Sequence, residues 1–192
     1  MGTGTQQPTE NYVLNSLHSE DIETQPVAKL SKIGILVGPV RMALYLDRTD
    51  IVIRDSQNQI RLADFSQWAG PLQENFSRVL AENLSVLLVT HNVGIFPGTR
   101  AMSFDYNVTV DVTRFDGIPG ERADLRARWA ILDKSRKNML LKNHSVLTQP
   151  TMDDSMEALI AAESRALADL SREIAEAIKA LAEKKPKGKN KP

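Results

Sequence analysis

Residues 34–88 read GILVGPVRMALYLDRTDIVIRDSQNQIRLADFSQWAGPLQENFSRVLAENLSVLL, and this stretch decides the fold. It opens on Ile35, Leu36 and Val37, which with Ile33 make a near-continuous apolar run. Such a run belongs to a strand covered on both faces, hence a central one, and Gly38-Pro39 ends it. Met42 to Leu46 is too short for a stable free helix and predicts a single turn. Asp50 to Arg54 and Gln59 to Leu62 flank the polar Asp55-Ser56-Gln57-Asn58, the pattern of a β-hairpin. Ala63 to Ala69 then leads to a helix over about 71–89, with Pro71 in its first turn, where a missing N–H costs nothing. Leu72, Phe76, Val79, Leu80, Leu84 and Leu87 recur with a period near 3.6, so one face packs against the central strand. Glu74, Arg78, Glu82 and Asn83 are the positions expected to stay in water.

Outward from this unit, Asn11 to Leu17 predicts a short strand and Ser19 to Lys29, with Pro26 and several acids, a loop. Asn92 to Phe96 predicts another strand, stopped by Pro97-Gly98. In Phe104 to Val112 the apolar residues alternate with Asp105, Asn107, Thr109 and Asp111, the mark of a half-buried antiparallel strand. Asp116-Gly117-Ile118-Pro119-Gly120 reads as a turn, Leu125, Ala127, Trp129 and Ile131 as the next alternating strand, and Met139 to Leu147 as the last of a meander. A second helix over about 153–183 has Asp153, Asp154 or Ser155 to cap it. Its stripe of Ile160, Leu167, Leu170, Ile174 and Leu181 is interrupted at Glu163 and Ser164. That stripe packs either on the sheet or as a seam with another subunit. The expected fold is α+β: an antiparallel or mixed β-sheet packed against two long helices, about residues 71–89 and 153–183. Residues 11–183 form one domain, residues 1–10 a flexible leader, and residues 184–192 a disordered basic tail.

Composition narrows the function classes. Lysine and arginine total 24, as do aspartate and glutamate, for a formal net charge of zero. Five of the lysines lie in the tail, so the body is acidic, about −5, and argues against nucleic-acid binding. With no cysteine, the chain has no disulfide, thiolate nucleophile or cysteine-ligated zinc. It has no apolar run near the length that crosses a bilayer. His18, His91 and His144 share no metal-ligand spacing, and neither a phosphate-binding glycine loop nor a nucleophile elbow is present. The expectation is a binding or assembly protein without catalytic residues, metal or cofactor.

The candidate contact residues are therefore those of interface chemistry. Tyr45-Leu46-Asp47-Arg48 places an aromatic, an aliphatic and two opposite charges on a short connector. It reads either as a tight corner with an Asp–Arg pair and Tyr45 tucked on the core, or as a partner-docking edge. Trp68 reads as core or contact. Arg126 and Arg128, on a strand's polar face, are solvated or are oligomer contacts.

The ordered string Gly38-Pro39-Val40-Arg41, Tyr45-Leu46-Asp47-Arg48, Ile51-Val52, Arg54, Phe65, Trp68-Ala69 and Pro71-Leu72 is distinctive. It runs on through Asn75 to Leu84, and Val110-x-Val112-x-Arg114-Phe115-Asp116-Gly117 and Ala127-x-Trp129 extend it. Together these motifs resemble the ABC-type transport auxiliary lipoprotein family, in its PqiC-like form associated with MCE systems. The resemblance covers most of residues 11–182. It implies a non-enzymatic periplasmic lipoprotein of an MCE/Pqi-type lipid transport system, docking to the MCE-domain tunnel protein and contributing to outer-membrane integrity. It implies a homo-oligomer and an anchor in the outer membrane through an acylated cysteine absent from this chain, the leader serving as a stalk. A second reading is an outer-membrane lipoprotein assembly factor that activates a cell-wall synthase.

Overall fold

The computed structural model describes residues 8–18, 32–97 and 103–184. Most of the expected leader, the Ser19–Lys29 loop and the tail beyond Lys184 lie outside the described residues. Eight strands and two helices follow in the order β1 (Glu10–Tyr12), β2 (Ile35–Met42), a 3-10 turn (Leu44–Leu46), β3 (Asp50–Arg54), β4 (Ile60–Trp68), α1 (Leu72–Leu87), β5 (Val93–Ile95), β6 (Tyr106–Ile118), β7 (Arg122–Asp133), β8 (Met139–Pro150) and α2 (Met156–Lys184).

The strands form one mixed sheet in which β6 is the hub. Along one edge β6 pairs antiparallel with β7, which pairs with β8. Along the other it pairs parallel first with β2 and then, at Gly117, with β3. The sheet thus forks: β5 extends it beyond β2, while β4 and then β1 extend it beyond β3. The apolar run of β2 is explained by its place inside the fork, between β5 and β6.

Both helices lie on one face. Phe76 of α1 meets Phe115 of β6 edge to face, with centroids 5.4 Å apart. Ile53, Ala123, Leu159 and Ala162 form a cluster where α2 crosses the β3–β7 end of the sheet. There a Cβ on Gly117 would lie 2.6 Å from Leu159 Cδ1 and 2.4 Å from the Arg122 carbonyl, so only glycine admits the helix so close. Ser155 caps α2, its hydroxyl accepting from the Ala158 N–H at 3.1 Å.

Several expectations are corrected. The first helix has 16 residues against 29 for α2, so only one helix is long. Residues 63–68 are the second half of β4 rather than a lead into the helix, and β1 is only three residues. Asp116-Gly117-Ile118 is the end of β6, and the turn follows it. Asn83, assigned to water, is fully buried: its Oδ1 accepts from the Leu17 N–H at 2.7 Å and its Nδ2 donates to Ser171 Oγ at 3.0 Å. Glu163 and Ser164 interrupt the apolar stripe of α2 in the sequence, yet both are buried with it.

Candidate functional site

The connector between β2 and β3 forms a corner held by backbone. The Ala43 N–H donates to the Val112 carbonyl and the Leu46 N–H to the Ala43 carbonyl, both at 2.9 Å. The Trp68 N–H donates to the Thr49 carbonyl at 2.8 Å, tying the far end of the corner to β4. Leu46 and Trp68 pack in the core, so neither offers surface to a partner. Leu44, by contrast, is 88% exposed at the apex, and Asp47 and Arg48 are exposed beside it. Among the described residues, Asp47 and Arg48 make no ion pair with each other.

Tyr45 is half-buried and points inward. Its hydroxyl donates to Asp116 Oδ2 at 2.7 Å. The same carboxylate accepts from Arg54 Nε at 2.7 Å, Arg54 Nη2 at 2.8 Å and Arg114 Nε at 2.9 Å, and is itself 0% exposed. Arg114 Nη2 continues to Asp124 Oδ2 at 2.7 Å, and Thr148 Oγ1 donates to Asp124 Oδ1 at 2.8 Å. One charged network therefore joins the corner to β3, β6, β7 and β8.

The protonation states follow from these contacts. Burial pushes the Asp116 carboxyl up. Hydrogen bonds from Arg54 and Tyr45, with the charge of Arg114, outweigh it and hold the group below its ordinary value. Burial, the hydrogen bond to Asp116 and its charge raise the Tyr45 phenol well above its usual value, so it remains a donor. Glu163 on α2 is the opposite case. Burial, and then the Asp116 charge, push its carboxyl well above the usual range, and its Oε2 has no hydrogen-bond partner among the described residues.

In the sequence Asp116 stands out only as part of the Arg114-Phe115-Asp116-Gly117 motif and not as a site residue, because Asp-Gly and Pro-Gly are strong turn signals. The register shifts between Val112 and Arg114, and this bulge reverses which residues face the helices. Beyond it Phe115 faces α1, and Arg114 and Asp116 face the opposite side. The signal in the sequence is the Arg-x-Asp pair two residues apart on one strand face.

Arg126 and Arg128 are exposed on β7, on the face away from the helices. His18, His91 and His144 are exposed as well, and the described residues hold no group of three His, Asp or Glu placed for a metal ion. The corner offers a rigid exposed Leu-x-x-Asp-Arg surface and no reactive constellation.

A family description, the ABC-type transport auxiliary lipoprotein component, matches residues 12–175. The chain belongs to that family. Tyr45, Arg54, Arg114 and Asp116, all within the ordered string quoted in the sequence, are the residues the network brings together. Two solved structures share the fold. One is an uncharacterised protein at 20% identity with a TM-score of 0.71, covering 90% of this chain and 99% of its own. The other is a Xanthomonas campestris protein of the DUF330 family at 16% identity with a TM-score of 0.67, covering 92% of this chain and 94% of its own. No curated protein matches the chain.

Proposed function

We propose that this transport auxiliary domain acts by docking, as a non-enzymatic periplasmic component of an MCE/Pqi-type ABC lipid transport system. It is held at the outer membrane by a lipid anchor and meets the MCE-domain tunnel protein there. The family match over residues 12–175 supports the transport role. The observation that carries the docking role is the corner itself. Leu44, Asp47 and Arg48 stand exposed on a backbone pinned by Tyr45 to the fully buried Asp116. A pinned backbone loses little entropy on binding, and an exposed aliphatic residue beside an arginine suits a protein partner. In this reading Asp47 and Arg48 touch the partner, while Tyr45, Leu46 and Trp68 hold the corner in shape. Arg126 and Arg128 are proposed as contacts in a homo-oligomer, since they line the sheet face that no helix covers.

The test is pulldown of the MCE-domain protein with Asp47→Ala and Arg48→Ala. Both are expected to weaken capture while leaving thermal stability within about 0.5 kcal/mol, as for ordinary surface substitutions. Capture at wild-type levels by the double variant overturns the docking assignment.

A further inference from the structure

The sheet face away from the helices carries a second feature, apart from the corner, in which Arg128 has a role other than the subunit contact proposed above. Register places Arg41 opposite Asp111, Asp111 opposite Arg128, and Arg128 opposite His144, one row across β2, β6, β7 and β8. The neighbouring row places Thr109 opposite Ala130 and Ala130 opposite Lys142. Small side chains thus form a floor between long cationic ones. The result is an open groove of about 580 Å³, walled at its β2 end by Pro39 and mostly apolar within. That volume lies in the range of roughly 300–1,000 Å³ typical of small-molecule sites.

The charges around it are unbalanced. Arg41, Arg128 and Lys142 face the groove with Asp111 as its one acidic residue, and His144 adds a further donor. Among the described residues none of the three cations makes an ion pair. Asp111 sits in the same row as two arginines, yet it lies within ion-pair distance of neither. A body that is acidic overall keeps three unpaired cations over an apolar floor.

We infer that this groove binds an anionic amphiphile, a single acyl chain carrying a phosphate or carboxylate. The chain lies over Thr109 and Ala130, and the headgroup takes hydrogen bonds from Arg128 and Arg41 or Lys142. Charge complementarity selects the headgroup, and the apolar floor selects the chain. An inorganic anion lacks the second contact and a neutral detergent lacks the first.

The experiment is calorimetric titration of the full chain with dodecyl phosphate below its micellar concentration, beside inorganic phosphate and dodecyl maltoside. The expected result is saturable one-to-one binding of dodecyl phosphate, with both controls weaker by about tenfold or more. Two variants separate the contributions. Arg128→Gln with Lys142→Gln removes the charge, and Ala130→Leu fills the floor with the charges left in place. Each is expected to weaken dodecyl phosphate by about tenfold while the melting temperature holds. Absence of saturable binding, inorganic phosphate binding as well as dodecyl phosphate, or full affinity in both variants overturns the inference. So does a drop in molar mass by light scattering in the charge variant together with no dodecyl phosphate binding, which assigns the face to a subunit contact instead.

Discussion

The Tyr45 hydroxyl and the Asp116 carboxylate, 71 residues apart in the chain, meet at 2.7 Å at the foot of the β2–β3 corner. The contact couples a surface feature to a buried charge. Asp116 is saturated by Arg54, Arg114 and Tyr45 together, so losing any one partner leaves polar atoms without water or replacement. Tyr45→Phe removes one donor to an ionised acceptor and is expected to cost about 1.5–3 kcal/mol. Asp116→Asn leaves two arginines facing an uncharged group and is expected to cost about 3–5 kcal/mol. Urea denaturation of the two singles and the double should give less than the sum, because one removes and the other weakens the same bond.

Two buried carboxyls give the stability curve opposite slopes. Asp116 has a depressed folded value, so its stabilisation is complete above the ordinary aspartate value of 3.8 and is lost as pH falls through the lower folded value. Glu163 has a folded value raised well above 4.5. Below 4.5 it is neutral folded and unfolded alike and contributes nothing. Above 4.5 the unfolded chain ionises first, and stability falls with rising pH until the folded carboxyl also ionises. Glu163→Gln is therefore expected to be more stable than the parent near about pH 8 and equal to it near about pH 4, read by chemical denaturation at both. A variant less stable at both values would show that the protonated carboxyl makes an essential hydrogen bond.

Asn83 joins the N-terminal segment to both helices, accepting from the Leu17 N–H and donating to Ser171 Oγ. Asn83→Leu leaves the Leu17 N–H unpaired and takes one donor from Ser171 Oγ, which still donates to the Leu167 carbonyl, and is expected to cost about 1–3 kcal/mol. Amide exchange at Leu17 should accelerate by more than that at β6, because the segment loses its tether as well as the shared core. Equal acceleration at the two places would mean that packing, the β1–β4 pairing and the Asn15 N–H bond to Ser164 Oγ hold the segment without Asn83.

How much of this was legible in the sequence follows from which signals are local. Helix α1 and the strands β6 to β8 appear as periods of 3.6 and 2, because each buries a face and repetition marks it. Residues 63–68 escaped recognition because Phe65, at a φ of 53°, sits on a bulge that interrupts the alternation of β4. Asn83 reads as solvated because a polar residue on a helix normally is. Its burial depends on Leu17 and Ser171, which no local pattern brings near. The corner string Tyr45 to Arg48 stands out in the sequence, but its division between inward and outward residues is not legible there. Tyr45 and Leu46 turn inward while Asp47 and Arg48 turn out. The partner that turns Tyr45 inward, Asp116, lies in a segment whose Asp-Gly and Pro-Gly pairs read as a turn.

In the proposed docking role, the corner presents Asp47 and Arg48 to a protein partner on a backbone fixed by Tyr45 and Asp116. The most direct measurement is the affinity of the intact domain for the MCE-domain protein, taken for Arg48→Ala and Tyr45→Phe beside the parent. The account predicts that Arg48→Ala weakens binding by about tenfold or more at unchanged melting temperature, as a contact anchor does. Tyr45→Phe is expected to lower the melting temperature and to weaken binding less. Parent-level affinity in Arg48→Ala would contradict the account, as would a loss of folding in that variant.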